Sequence, residues 1–341
     1  KFQTFISAGR NPPGVFFSTC SKSLRKPSTM RKCFSFTFLL LFGVALYCGE
    51  AAAQQSVQNG IGIVSTSLAN VREAPEPKAA IVTQVLLGDE VRILEKLDYR
   101  LRISIPSQGD REGWIHQEAV LVPRDNGKSF NAPGRMRIVI TTPKTPALIL
   151  DRTGNHTVSL YAGTRLPVLG TTPEGYKVQF PDHSIAVIPL ADAMPVKLRT
   201  QVFEDVAPEE LAKTARRFQG VRYLAGGITA QGIDTRGLIY TVYRIHGIDL
   251  NMDHGALREK TARVSKKDLQ PGDLLAFYGE GLGMYLSSGQ FLHVPRKTNV
   301  QLGGIHDHRY ANALQFGIRV LGPDPAQKKT TGGNDPGRDP D

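Results

Sequence analysis

Apolar residues recur along this chain with two different periods, and the change from one to the other divides it. Between residues 60 and 200, short runs of β-branched and aliphatic residues are cut every few positions by Gly, Pro, Asn and Asp. Runs at 61–64, 81–86, 91–94, 101–105 and 114–116 are separated by turn signals at Gly88-Asp89, Gln108-Gly109-Asp110 and Glu112-Gly113. Such spacing predicts a small all-β barrel or sandwich over residues 60–123. The polar stretch 124–135, with Asn126-Gly127 and Ala132-Pro133-Gly134, reads as a linker. Further runs at 137–141, 147–150, 157–161, 166–169, 176–180 and 185–188 predict a second β unit over 136–200. Within it, Tyr161-Ala162-Gly163-Thr164-Arg165-Leu166 parallels the earlier segment 86–94, the mark of an internal repeat.

After residue 205 the apolar period lengthens to that of a helix. Pro208-Glu209-Glu210 opens one, with Leu211, Ala215 and Phe218 on its face, Arg216 and Arg217 in its last turn and Gly220 as its stop. A glycine-rich turn, Gly232-Ile233-Asp234, leads into a second helix. Leu238, Ile239, Val242 and Ile245 fall on one face of it, and Gly247 marks its end. Strands follow at 274–277, 284–286 and 290–294, the last two joined by Ser287-Ser288-Gly289. Helices first and antiparallel strands afterwards predict an α+β domain over 201–322. The Pro-, Gly-, Lys- and Asp-rich tail, 323–341, is expected to be disordered.

The formal charge of +11 over 341 residues invites a nucleic-acid reading. Seven of the 42 Lys and Arg but only one of the 31 Asp and Glu lie in residues 1–53, so the remainder is mildly basic. No dense basic run follows, and nucleic-acid binding is not expected. Met30-Arg31-Lys32, the apolar stretch 34–48 and Ala51-Ala52-Ala53 have the order of a secretory signal, with cleavage expected after Ala53. Residues 1–29 then stand upstream of the start. The exported product is expected in the periplasm or cell envelope, touching the membrane only through an uncleaved signal. Tyr47 is a poor fit for a lipoprotein signal at Cys48. All three cysteines, Cys20, Cys33 and Cys48, precede the cleavage point, so the mature chain is expected to have neither a disulfide nor a cysteine nucleophile. No cofactor is expected. His306-Asp307-His308 is a weak metal pair on a predicted loop, His246 and His254 lack ligands at metal spacing, and His156 and His183 read as solvated.

Two sets of motifs resemble known families. Leu68-Ala69-Asn70-Val71-Arg72, Leu87-Gly88-Asp89-Glu90-Val91 and Gly113-Trp114-Ile115 look like a bacterial SH3-like domain, and 136–200 like a second, diverged one. Residues 205–322 resemble the NlpC-type cell-wall endopeptidases, papain-like cysteine peptidases that cut peptidoglycan stem peptides. The resemblance rests on Tyr223 with Gly226-Gly227, on Gly232-Ile233-Asp234 with Gly237-Leu238, on Leu269-Gln270-Pro271-Gly272-Asp273, on Gly283-Met284-Tyr285-Leu286 and on Phe291-Leu292-His293. It implies a multidomain chain, two all-β SH3-like barrels followed by an α+β papain-like domain. It also implies peptidoglycan or stem peptides as partners, in the branch that trims peptides with a free N-terminal amine.

That family's chemistry needs a thiolate at a helix N-terminus, a histidine base and a polar group orienting it. Carried over by resemblance, the nucleophile position holds Thr235 and the base position Gly281, while His293 and Tyr223 are kept. A threonine hydroxyl is a far weaker acid than a thiol and depends on a positioned base, so no catalytic residue is expected. What remains suits ligand binding. Tyr223, Asp234, Thr235, Arg236 and His293 are the candidates; Arg236 reads either as solvated or paired with Asp234, or as forming a carboxylate site with the free N–H groups of the helix start. Trp114, the only tryptophan, is expected in the core, with a peptide-groove wall as its other reading. The expected function is a catalytically inactive cell-wall protein that binds peptidoglycan. The alternatives are an active peptidase with a non-standard nucleophile and an interaction module regulating another envelope hydrolase.

Overall fold

The computed structural model describes residues 60–150, 155–196, 206–251, 262–279 and 281–320. The expected export signal, the three cysteines, His254 and the tail 323–341 lie outside the described residues. No helix among the described residues is long and apolar enough to cross a membrane.

The first β unit comprises β1 (Gly60–Val64), β2 (Leu68–Arg72), β3 (Ile81–Leu86), β4 (Glu90–Leu97), β5 (Arg100–Ile105), β6 (Arg111–His116) and β7 (Val120–Leu121). The second comprises β8 (Arg137–Ile140), β9 (Lys144–Leu150), β10 (His156–Tyr161), β11 (Arg165–Thr171), β12 (Tyr176–Gln179), β13 (Ile185–Ile188) and β14 (Ala193–Val196). Their strand orders are β3-β2-β6-β5-β4-β1-β7 and β10-β9-β13-β12-β11-β8-β14, one topology used twice. Gly88 and Gly163 take φ of +82° and +86° at matching points, just ahead of β4 and β11, where a tight turn needs the left-handed region. The end strands do not pair with each other, so the expected barrels are seven-stranded sheets that remain open.

The stretch 124–135 is not a free linker. Phe130 is buried in the core of the second unit beside Ile63 and Leu87 of the first, and the Asn131 amide donates to Glu90 at 2.6 Å. Apolar anchorage of this kind is invisible in a segment read by its turn residues.

The α+β domain begins with α1 (Pro208–Arg216), a short hairpin of β15 (Ile228–Thr229) and β16 (Gly232–Ile233), and α2 (Thr235–Ile245). A six-stranded antiparallel sheet follows, built from β17 (Ala262–Val264), β18 (Leu274–Phe277), β19 (Gly281–Ser287), β20 (Gln290–His293), β21 (Gln301–Gly304) and β22 (Leu314–Arg319) in the order β17-β22-β18-β19-β20-β21. Strand alternation gives the sheet two apolar faces. Leu274, Leu282, Met284, Leu286 and Leu292 pack with α1 and α2. Leu275, Phe277, Tyr285 and Phe291 pack with Tyr310 of a short helix, α3 (His308–Ala313). His308 therefore opens a helix, where a loop was expected.

The helix α2 differs from its expected amphipathic form. Every residue from Gly237 to Ile245 is buried, Arg244 included. The sheet covers one side, and Leu86, Val139, Tyr161 and Ala162 of the two β units join the same core from the other. Each large aliphatic side chain buried this way contributes about 1.5–3 kcal/mol. The all-β units thus complete the core of the α+β domain.

Candidate functional site

The turn ahead of α2 is built by its own backbone and one carboxylate. Tyr223 N–H donates to the Thr298 carbonyl at 2.7 Å, and Leu224 N–H to that of Ile233 at 3.1 Å. Asp234 is the N-cap. Its Oδ1 accepts from Gly237 N–H and its Oδ2 from Gly226 N–H, both at 2.8 Å. Glycine is required at 237, because a Cβ there would lie 1.9 Å from the Gly227 carbonyl oxygen. Asp234 was a candidate ligand residue. With both carboxylate oxygens bound to the turn, it instead supplies the anion that the helix start favours.

Thr235 stands at the first helical position, half-buried. Val294 N–H donates to its Oγ1 at 3.0 Å, and the hydroxyl donates back to the Val294 carbonyl at 3.4 Å. Gly281 is exposed at the start of β19, with φ +86° and open space where a side chain would stand. His293 is only 5% exposed, with Nε2 3.0 Å from the Tyr310 hydroxyl and its ring 5.1 Å from that of Phe291. Leu292 and Val294 face α2, so alternation turns Phe291 and His293 toward α3. Thr235 is therefore tied to the residue next to His293, while the imidazole itself meets the Tyr310 hydroxyl.

Arg236 is exposed and, with Arg111, Gln108, Asp234 and Tyr240, lines a crevice of about 80 Å³ between β3 and the helix start. Burial pushes the Tyr240 hydroxyl up to about 12, so it stays protonated there. Neither Tyr223 nor Trp114 lines this crevice. Trp114 also lies outside the core. On β6, Gly113 and Ile115 point inward, which leaves the indole half-buried on the other face, in register with Arg72 and Arg102.

A larger groove, about 420 Å³, lies on the neighbouring side of β3, lined by Ser67, Asn70, Gln84, Tyr161, Arg222 and Gln231 among others. Gln84 donates to Asn70 Oδ1 at 2.8 Å and accepts from Ile228 N–H at 3.1 Å, while Gln231 meets the Tyr161 hydroxyl. These residues come from all three units, and no sequence spacing joins them. Among the described residues no group of three or more His, Cys, Asp or Glu is placed to hold a metal.

Residues 220–319 match the family model of the NlpC/P60 family, and residues 66–120 that of the bacterial SH3 domain. The chain carries an NlpC/P60 domain behind a bacterial SH3 domain. Among its relatives is the gamma-D-glutamyl-L-lysine dipeptidyl-peptidase of Bacillus cereus, 27% identical over 228 residues, which are 63% of this chain and 67% of that protein. Another is the murein DD-endopeptidase MepS/murein LD-carboxypeptidase of Escherichia coli K12, 29% identical over 109 residues, 30% of this chain and 58% of that protein. A crystal structure of an NlpC/P60 family protein from Bacillus cereus superposes with a TM-score of 0.68 at 22% identity, covering 77% of this chain and all of that one. At that identity the likeness speaks for the fold. The NlpC/P60 domain here has the helix, turn and sheet of a peptidase, with threonine and glycine where the resemblance sets the nucleophile and its base.

Proposed function

We propose that this protein binds peptidoglycan stem peptides in the cell envelope without hydrolysing them. The observation that carries this reading is the state of Thr235. Its hydroxyl is engaged with the Val294 backbone, and among the described residues its hydrogen bonds run to that backbone and not to a titrating side chain. Gly281 has no side chain, and the His293 imidazole is turned toward Tyr310. Loss of one member of such a catalytic unit already removes most of its activity, and here both the nucleophile and the base are gone.

The activities of the relatives suggest the ligand class. A dipeptidyl-peptidase acting on gamma-D-glutamyl-L-lysine and a murein endopeptidase both handle short peptides rich in carboxylates and amides. The groove of Asn70, Tyr161, Arg222 and Gln231 offers amide groups with one cation, and Arg236 adds a second on the adjoining crevice. We read residues 137–196 as a second SH3-like unit, supported by the shared strand order. It gives the groove Tyr161 and so serves binding directly. Export to the envelope, through the leader in residues 30–53, agrees with such a ligand.

Calorimetric titration of the protein with a synthetic L-Ala-γ-D-Glu-L-Lys peptide tests the site. Saturable binding is expected, weakened about tenfold by Arg222→Ala and by Arg236→Ala, the loss of one hydrogen bond to a charged group. Unchanged affinity in both variants would place the ligand elsewhere, and no binding at all would sink the reading.

A further inference from the structure

Away from the helix start, a cavity of about 1070 Å³ opens where the two β units meet the C-terminal half of α2. Its walls are rich in arginine. Arg244 is fully buried and pairs with Asp89, while its Nε donates to the Gly163 carbonyl at 2.7 Å. The Arg165 Nη1 donates to both oxygens of Asp249, at 2.8 and 2.9 Å. These two guanidiniums are neutralised within the fold.

The other two are not. Arg137 donates to the Phe130 carbonyl at 3.3 Å and Asn131 Oδ1 at 3.0 Å, and stacks over the Phe130 ring at 5.2 Å. Arg135 donates to the Ser129 carbonyl at 3.1 Å and Gln179 Oε1 at 2.8 Å. All these partners are neutral, and among the described residues neither arginine forms an ion pair. The nearby Glu90 carboxylate is bound instead by the Asn131 amide. Sheet register fixes the cluster. Arg165 lies opposite Val139 and Arg137 opposite Pro167 on β8 and β11, so both arginines leave the same face of that sheet. Burial, then the charges of Arg165, Arg135 and Arg244, lower the Arg137 pKa to about 10 against a small opposing pull from Asp89. Like charges have therefore been brought together at a cavity wall, and among the described residues two of them have no ion-pair partner.

We propose that this cavity is an anion-binding site, in which Arg135 and Arg137 grip a phosphate or carboxylate group of a small multivalent ligand. The guanidinium fork matches the oxygens of either group, and a bound anion offsets the repulsion among the arginines. The stem-peptide site lies at the other end of α2, so this proposal stands without that reading.

The test uses the whole protein with two probes, inorganic phosphate and citrate, in calorimetry and thermal unfolding, against sodium chloride at matched ionic strength. At least one probe is expected to bind saturably and raise the Tm beyond the chloride control. Phosphate alone would identify the phosphate class and citrate alone the carboxylate class. Arg137→Gln should weaken binding about tenfold and the double change Arg135→Gln, Arg137→Gln should abolish it. Arg137→Lys, which keeps the charge and loses the fork, should fall between. Without anion, Arg137→Gln should unfold no earlier than wild type, since it removes a repelled charge, and this shows the variant is folded. Equal responses to chloride and both probes, or undiminished binding by the double variant, would overturn the proposal.

Discussion

At its first turn α2 presents a threonine held by backbone hydrogen bonds, an aspartate engaged in capping and a crevice of about 80 Å³. At its last turn the same helix carries Arg244 in a buried network with Asp89, Gly163 and Tyr240, beside a cavity of about 1070 Å³. At the first end, Asp234 caps the helix and Thr235 is bound to the Val294 backbone. The second carries a fully buried ion pair, where the helix dipole favours a cation. Burial works against the Arg244 charge, but Asp89, Tyr240 and Asp249 hold its pKa above the ordinary arginine range. The contrast teaches that the helix has kept its position in the fold while its polar interactions are concentrated at the end that joins the domains.

The largest expected effect breaks the C-terminal end. Arg244→Leu leaves Asp89 buried without its partner and should lower unfolding free energy by about 3–5 kcal/mol in urea titration. A loss below about 1 kcal/mol would mean that the network does not join the three units. At the N-terminal end, Asp234→Ala removes the cap and the Gly226 contact together and should cost about 1–2 kcal/mol. Thr235→Val, which deletes only the hydroxyl, should cost about 1 kcal/mol in the same assay. Arg236→Ala should change stability by less than about 0.5 kcal/mol, because the side chain is exposed, while still weakening peptide binding. A stability loss from Arg236→Ala equal to that from Asp234→Ala would move Arg236 from binding to architecture.

Much of the fold was legible because both periods are strong. The runs 81–86, 185–188 and 274–277 coincide with strands, and α2 starts and stops where Asp234 and Gly247 signal. The repeat at residues 86–94 and 161–169 emerged as one strand order used twice. What local pattern missed depends on packing between units. A cation in the last turn of a helix reads as solvated, and the buried partners of Arg244 lie far away in sequence in both β units. Trp114 followed the alternation of β6 and not its own hydrophobicity. His293 was expected among the ligand-binding residues, and the period of two on β20 turns its ring toward Tyr310, a partner that local pattern did not signal. The polar groove around Gln84 had no sequence signal, since three units supply it.

The central claim concerns the emptied N-terminal end of α2, and peptide turnover tests it most directly. The protein is incubated with γ-D-glutamyl-L-lysine stem peptides and the products are followed by mass spectrometry, alongside Thr235→Ala. The account predicts intact peptide in both samples while calorimetry records binding. Cleavage by the wild-type protein that Thr235→Ala abolishes would contradict it.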